Sequence, residues 1–361
     1  FFTFIFTSEV PELLQKLLVN GVNYMLKDDM IMKTGIIHIL DSTMGMPVLS
    51  DYEFDLSSDL CDFLKAHIEK FTENDDVKHC QFAEESEICA AIRECTPENF
   101  VETSKEVARK LFQIMNANIA IPPADMAMVI FGCNGGNYLA VLKLNYKTSY
   151  THVTQPSDDG SNNNDIILQR AILPSEGQKL AEAFVVSLES GEILLTEKKY
   201  EVNGEKRQYF SELFLECHAP LSQKSKLDIV TKAVEQVNKK YYGEDDTERK
   251  METKNVIYQE LEEEGCLHVE ALKEKVFKDS PEMQEEFIEK LEKYNMAAEV
   301  VEPKNEQTVK KFQTQYLTTD TGIEIKIPME EYGNPDHVEF ITNADGTISM
   351  LIKNIGRLTS K

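Results

Sequence analysis

Apolar positions along the chain change period three times, and each change marks a different kind of element. "GIIHILDS" (35–42) is a β-branched run that predicts a strand. "SSDLCDFLKAHIEKF" then sets Leu60, Phe63, Leu64, His67, Ile68 and Phe71 at helical spacing behind Ser57 or Ser58, a serine N-cap. A second helix is predicted from "TPENF", with Thr96 as cap and Pro97 in the first turn. Phe100, Ser104, Val107, Leu111 and Met115 form its inner stripe, and "IPPAD" stops it.

Strand patterns follow. "MAMVIFG" and "NYLAVLKLNY" flank Asn134–Gly135, the strongest short hairpin signal. "THVTQPSDDGSNNND" (151–165) has no apolar period and reads as a surface loop. "IILQRAILP", "AEAFVVSL", "EILLTEKKYEV" and "QYFSELFLECHA" read as strands of an antiparallel sheet on which the helices pack.

After Pro220 the period returns to helical. Ser222 caps a helix carrying Leu227, Val230, Val234, Val237 and Tyr241; further helices follow in "ERKMETKNVIYQELEEEG", "HVEALKEKVF" and "SPEMQEEFIEKLEKYN", the last capped by Ser280 with Pro281 in its first turn. "GIEIKIPMEEY" and the hairpin "HVEFIT-NADG-TISMLIKNI" close the chain. The fold class is α+β: a largely antiparallel sheet with packed helices over 32–220, an acidic helical subdomain over 221–302 and a C-terminal β-hairpin region over 303–361.

At 361 residues the chain has room for two domains. A net charge of −25, from 63 acidic and 38 basic residues, repels nucleic-acid phosphates unless the basic residues are segregated. The acid is uneven: residues 259–302 carry fourteen Asp/Glu against five Lys, whereas 220–241 carry five lysines against two acids. No window holds the roughly 20 apolar residues of a membrane helix, so no membrane partner is expected. Seven cysteines without a CxxC pair fit a reducing cytoplasm.

Catalytic signatures are wanting. Cys80, Cys89 and Cys95 with His79 lack the close ligand pairs of a zinc site and read as structural thiols. Cys217 and His218 are adjacent on a strand and face opposite ways. His38 sits in an apolar run, as a satisfied core histidine does, and "GCNGG" reads as a hairpin turn, not a phosphate loop. No enzyme, cofactor or metal is expected.

The basic residues stand out against the acidic background. Lys224, Lys226, Lys232, Lys239 and Lys240 belong to one helix, with Lys232 and Lys239 seven apart on one face. Lys198, Lys199, Lys206 and Arg207 lie on two arms of a predicted hairpin, where they straddle a phosphate backbone or guard a sheet edge; the interspersed glutamates favour the guard.

From about Lys33 to the C-terminus the chain resembles the bacterial nucleoid-associated protein family, through "IIHILDS…VLSDYEFDL", "FLKAHIEKF", "FAEESEI", "YLAVLKLNY" and "TGIEIKIPMEEYGNPDHVEFITNADGTISMLIKNI". The resemblance implies a cytoplasmic, nucleoid-localised, non-enzymatic protein that associates with double-stranded DNA without strong sequence preference. The acidity departs from that pattern, and no helix-turn-helix, zinc finger or basic arm is present. A second reading therefore stays open, in which the acidic helices of 259–302 dock onto a DNA-processing protein. The oligomeric state is open between monomer and homo-oligomer.

The first 31 residues precede the family-like pattern. "FFTFIF" is too short for a signal h-region. Lys27–Asp28 can be encoded by AAG-GAT or AAG-GAC, which contain AAGGA, the purine run of a bacterial ribosome-binding site, just upstream of Met30 and Met32. Residues 1–29 or 1–31 are accordingly read as translated leader, with Met30 or Met32 as the start.

Overall fold

The computed structural model describes residues 25–156, 161–243, 246–357 and 359. The chain divides into two compact units: Val77–Pro220 with the described residues up to Glu73, and those from Leu221 onward with Asn74–Asp76.

The first unit is built on a seven-stranded antiparallel sheet of order β1-β3-β4-β7-β8-β2-β11. Its strands are β1 (Ile31–Leu40), β2 (Lys78–Phe82), β3 (Ala124–Cys133), β4 (Gly136–Asn145), β7 (Glu182–Ser187), β8 (Glu192–Thr196) and β11 (Cys217–His218). Helices cover both faces. Leu64, Ile68 and Phe71 of α1 (Ser58–Thr72) meet Ala127, Val129, Phe131, Leu142 and Val185 on one side. Ile88 and Ile92 of α2 (Glu87–Arg93), with Val107, Leu111 and Met115 of α3 (Phe100–Ala117), meet Met126, Met128, Leu139 and Phe184 on the other. Alternate residues thus enter different cores, which is why "MAMVIF" and "YLAVL" are unbroken apolar runs. Asn134 (φ 50°) and Gly135 (φ 83°) make the two-residue turn between β3 and β4, and the φ > 0 pair is what a type I′ hairpin turn requires.

Differences from the sequence reading have local causes. β1 starts at Ile31, and Met25 and Met30 are buried in the α1-side core, so ordered structure precedes Lys33; residues 1–24 of the leader reading lie outside the described residues. Ser57 caps α1 as expected. At α3, Asn99 Oδ1 accepts the Thr96 N–H (2.6 Å) and Asn99 Nδ2 donates to the Glu94 carbonyl (2.9 Å). That turn delays the helix to Phe100, so Thr96 is not its cap.

Most of the stretch read as a loop at 151–165 is strand: β5 (Lys147–Pro156) pairs with β6 (Asn162–Ile172) as a separate ribbon, with 157–160 outside the described residues. Residues 162–171 are exposed throughout, and a ribbon with no buried face has no reason to alternate. "QYFSELFLECHA" is not a long strand either. Phe210–Leu215 forms a π-helical turn ended by Glu216 in the left-handed region (φ 51°). The Phe210 and Phe214 rings lie tilted with centroids 5.0 Å apart and close on Phe184, the i, i+4 contact of a helical turn.

The second unit opens with α4 (Gln223–Tyr242), α5 (Thr247–Glu263), α6 (Val269–Val276) and α7 (Pro281–Glu292), joined by β12 (Leu267–His268) and β13 (Val300–Val301). Its core gathers Leu227, Val230, Val234, Ile257, Leu272, Phe287 and Leu291. The region read as wholly β begins with a helix, α8 (Glu306–Gln313), whose Phe312 enters the same core. Then come the hairpin β14 (Thr314–Thr318)–β15 (Glu324–Pro328), one turn of helix α9 (Met329–Tyr332), and β16 (Val338–Thr342)–β17 (Ile348–Ile352).

A basic groove in the second unit

Ser222 accepts the Ser225 N–H (3.2 Å) and starts α4, which turns its apolar stripe inward and its lysines outward. The five lysines do not share one environment. Lys224 pairs with Asp76 (2.9 Å), Lys226 with Glu299 (2.5 Å) and Lys240 with Glu286 (2.5 Å). Their charge is met inside the unit. Lys232 and Lys239 line a groove of about 870 Å³ between α4, α5 and α8.

That groove collects cations from three elements. Arg249, Lys250 and Lys254 come from α5 and Lys311 from α8, making six basic side chains against Asp228, Glu235 and Asp246. Lys311 is paired with Asp228 (2.8 Å), and Asp246 caps α5 by accepting the Arg249 N–H (2.9 Å). Arg249 binds Glu252 (2.6 Å) and the Tyr242 hydroxyl (2.8 Å), and its guanidinium lies 4.6 Å from the Tyr242 ring centre. Lys232 is exposed and makes no ion pair among the described residues. Lys254 is half-buried, donates to the Thr314 carbonyl (2.8 Å), and burial holds its ammonium below the usual lysine range. At the floor, Asn238 and Thr253 are buried and joined by an Asn238 Nδ2–Thr253 Oγ1 hydrogen bond (3.0 Å), while Asn238 Oδ1 has no partner among the described residues.

Arg249, Lys250, Lys254 and Lys311 were not singled out from the sequence. Lys250 and Lys254 sit at i, i+4 spacing, which was a legible signal. It was masked by the acidic average of the helices around it.

In the first unit the basic hairpin is smaller than expected. Lys198 and Lys199 are exposed ahead of β9 (Tyr200–Val202), and Lys206 in β10 (Glu205–Arg207) stands opposite Glu201. Arg207 pairs with Glu212 (2.8 Å). Carboxylates stand against Lys206 and Arg207, and the groove holds the larger concentration of positive charge.

Other reactive groups are committed to structure. His38 is fully buried; its Nδ1 accepts the Ser50 N–H (3.1 Å) and its Nε2 donates to Ser104 Oγ (2.9 Å), whose own proton goes to the Val101 carbonyl (2.6 Å). Burial lowers its pKa to about 4 from 6.5, with Lys105 and Arg109 adding to the effect. The unfolded chain therefore binds the imidazole proton first. The stability this group contributes is complete above pH 6.5 and is lost as pH falls toward 4, by up to about 3 kcal/mol. Burial depresses His67 in the same direction. Urea unfolding at pH 7 and pH 4.5 is expected to show this loss, and a His38→Asn variant is expected to lack most of it.

Cys217 turns to Cys80 (Sγ–Sγ 3.8 Å) and makes no pair with His218 among the described residues. Cys266 Sγ and His268 Nε2 come within 3.3 Å, a pair the sequence reading did not raise. Burial and then the carboxylates of Glu302, Glu264 and Glu260 push that thiol's pKa up, the wrong direction for a nucleophile. Among the described residues no cluster of three or more His, Cys, Asp or Glu side chains is arranged to hold a metal ion. No described helix is long and apolar enough to cross a membrane.

A family model described as nucleoid-associated protein YejK matches residues 36–358. No curated protein matches the chain.

Proposed function

The chain belongs to the nucleoid-associated protein YejK family, and on that premise we propose that it binds double-stranded DNA without sequence preference, as a non-enzymatic protein of the bacterial cytoplasm acting at the nucleoid. The observation that carries this reading is the groove, where cations outnumber anions two to one on a chain of net charge −25. Five of its six cations are lysines, and a lysine is a flexible point charge suited to phosphates and poorly suited to bidentate base readout. Lys232, Lys239, Lys250 and Lys254 are proposed to face the DNA backbone. Lys224, Lys226 and Lys240 lie outside the groove lining, and the Lys198–Arg207 hairpin is a secondary contact at most.

Gel-shift titrations of two unrelated duplexes at 50 and 200 mM salt test the reading. With about four phosphates neutralised, affinity is expected to fall on the order of a hundredfold between the two salts, equally for both duplexes. No shift at 50 mM salt would overturn direct binding. Capture of a DNA-processing protein that survives nuclease treatment would then assign the association to the acidic helices.

A further inference from the structure

We propose that the floor of the groove is a built seat for one phosphate group, formed by Lys254, Asn238 and Thr253 beneath Lys232 and Lys239. The inference rests on the DNA-binding reading for the source of that phosphate, a backbone phosphodiester. A free nucleotide would present the same oxyanion.

Two polar groups that line the groove lack, among the described residues, the partner that an oxyanion would supply. Lys254 is a half-buried ammonium whose Nζ reaches the Thr314 carbonyl, and no carboxylate pairs with it among the described residues. Burial holds its pKa down with nothing opposing the shift, the mark of a desolvated cation lacking a counter-charge. Asn238 is 7% exposed and lines the groove, yet one arm of its amide has no partner. Rotating that amide about its last torsion preserves the bond to Thr253, whose hydroxyl then donates to Oδ1, and places the Nδ2 protons where the unpartnered oxygen stood. Each feature comes from a different element, α4 and α5, and both line one cavity. A purely structural lysine would be expected to meet a carboxylate, as Lys224, Lys226, Lys240 and Lys311 do.

The test measures thermal stability of the whole chain against inorganic phosphate and pyrophosphate, with chloride holding ionic strength constant. The wild type is expected to gain several degrees at saturating pyrophosphate. Lys254→Met is expected to abolish that gain while melting no lower than wild type without the anion, since it removes an unpaired half-buried charge. Lys254→Arg keeps the charge and is expected to retain part of the gain, which separates loss of the seat from loss of the fold. In gel shifts Lys254→Met should weaken duplex binding about tenfold and flatten the salt slope by about one. Pyrophosphate is expected to displace duplex from wild type. A nucleoside monophosphate that binds tighter than phosphate, with duplex unable to displace it, would support the seat and assign its phosphate to a free nucleotide. Equal stabilisation by chloride and pyrophosphate, or an undiminished gain in Lys254→Met, overturns the seat. DNA binding with no phosphate response sinks the seat alone; a phosphate response with no DNA binding sinks the DNA reading alone.

Discussion

Reversing Lys232, Lys239 and Lys250 to glutamate is expected to lower duplex affinity on the order of a thousandfold at 50 mM salt and to flatten the log–log salt dependence by nearly three units. All three line the groove from α4 and α5, and none belongs to the apolar cores. A matched control carries the same charge change elsewhere on α4. In Lys224→Glu/Lys226→Glu/Lys240→Glu each new carboxylate would face Asp76, Glu299 or Glu286 in place of its present ion pair. That variant is expected to melt lower through like-charge repulsion, yet to keep most of its salt slope when folded protein is titrated. The two variants share a net charge, so a mere change in overall field predicts equal loss of binding. Equal loss in both would reject the groove as the contact surface.

This contrast shows where the sequence was informative. The lysine bias of 220–241 is a local composition, and the helix that carries it was readable from Ser222 and the Leu227–Val237 stripe. That Lys224 and Lys226 are paired outside the groove lining depends on Asp76, 148 residues from Lys224, and on Glu299, 73 residues from Lys226. No periodicity encodes pairings at that distance. The same limit applies to the fold. The β3–β4 hairpin and α1 were legible because turn chemistry and one-sided burial leave local patterns. The β5–β6 ribbon is not, since it buries neither face, and the turn at Phe210–Leu215 reads as strand because an apolar-rich run fits both periods.

Replacing Lys143 with methionine is expected to cost about 3–5 kcal/mol of unfolding free energy, the range for stranding one member of a buried ion pair. Lys143 on β4 and Glu182 on β7 are adjacent in register and fully buried, with Nζ 3.4 Å from Oε2. Around them Lys143 donates to Asn145 Oδ1 (2.5 Å) and the Pro122 carbonyl (3.2 Å), and Asn145 Nδ2 donates to Glu182 Oε2 (3.1 Å). Glu182 Oε1 has no hydrogen-bond partner among the described residues, so the carboxylate is already incompletely met before its counter-charge is removed. Glu182→Leu is expected to cost a similar amount by stranding the ammonium. In Lys143→Met/Glu182→Leu both charges leave together, and most of the loss should return, because an apolar pair between two apolar cores needs no compensation. Denaturant unfolding of the four proteins closes the cycle. A double variant as unstable as either single one would mean that Asn145 and the Pro122 carbonyl need the ammonium itself. The stability of the sheet centre would then depend on the polar cluster as a unit, and not on the balance of two charges.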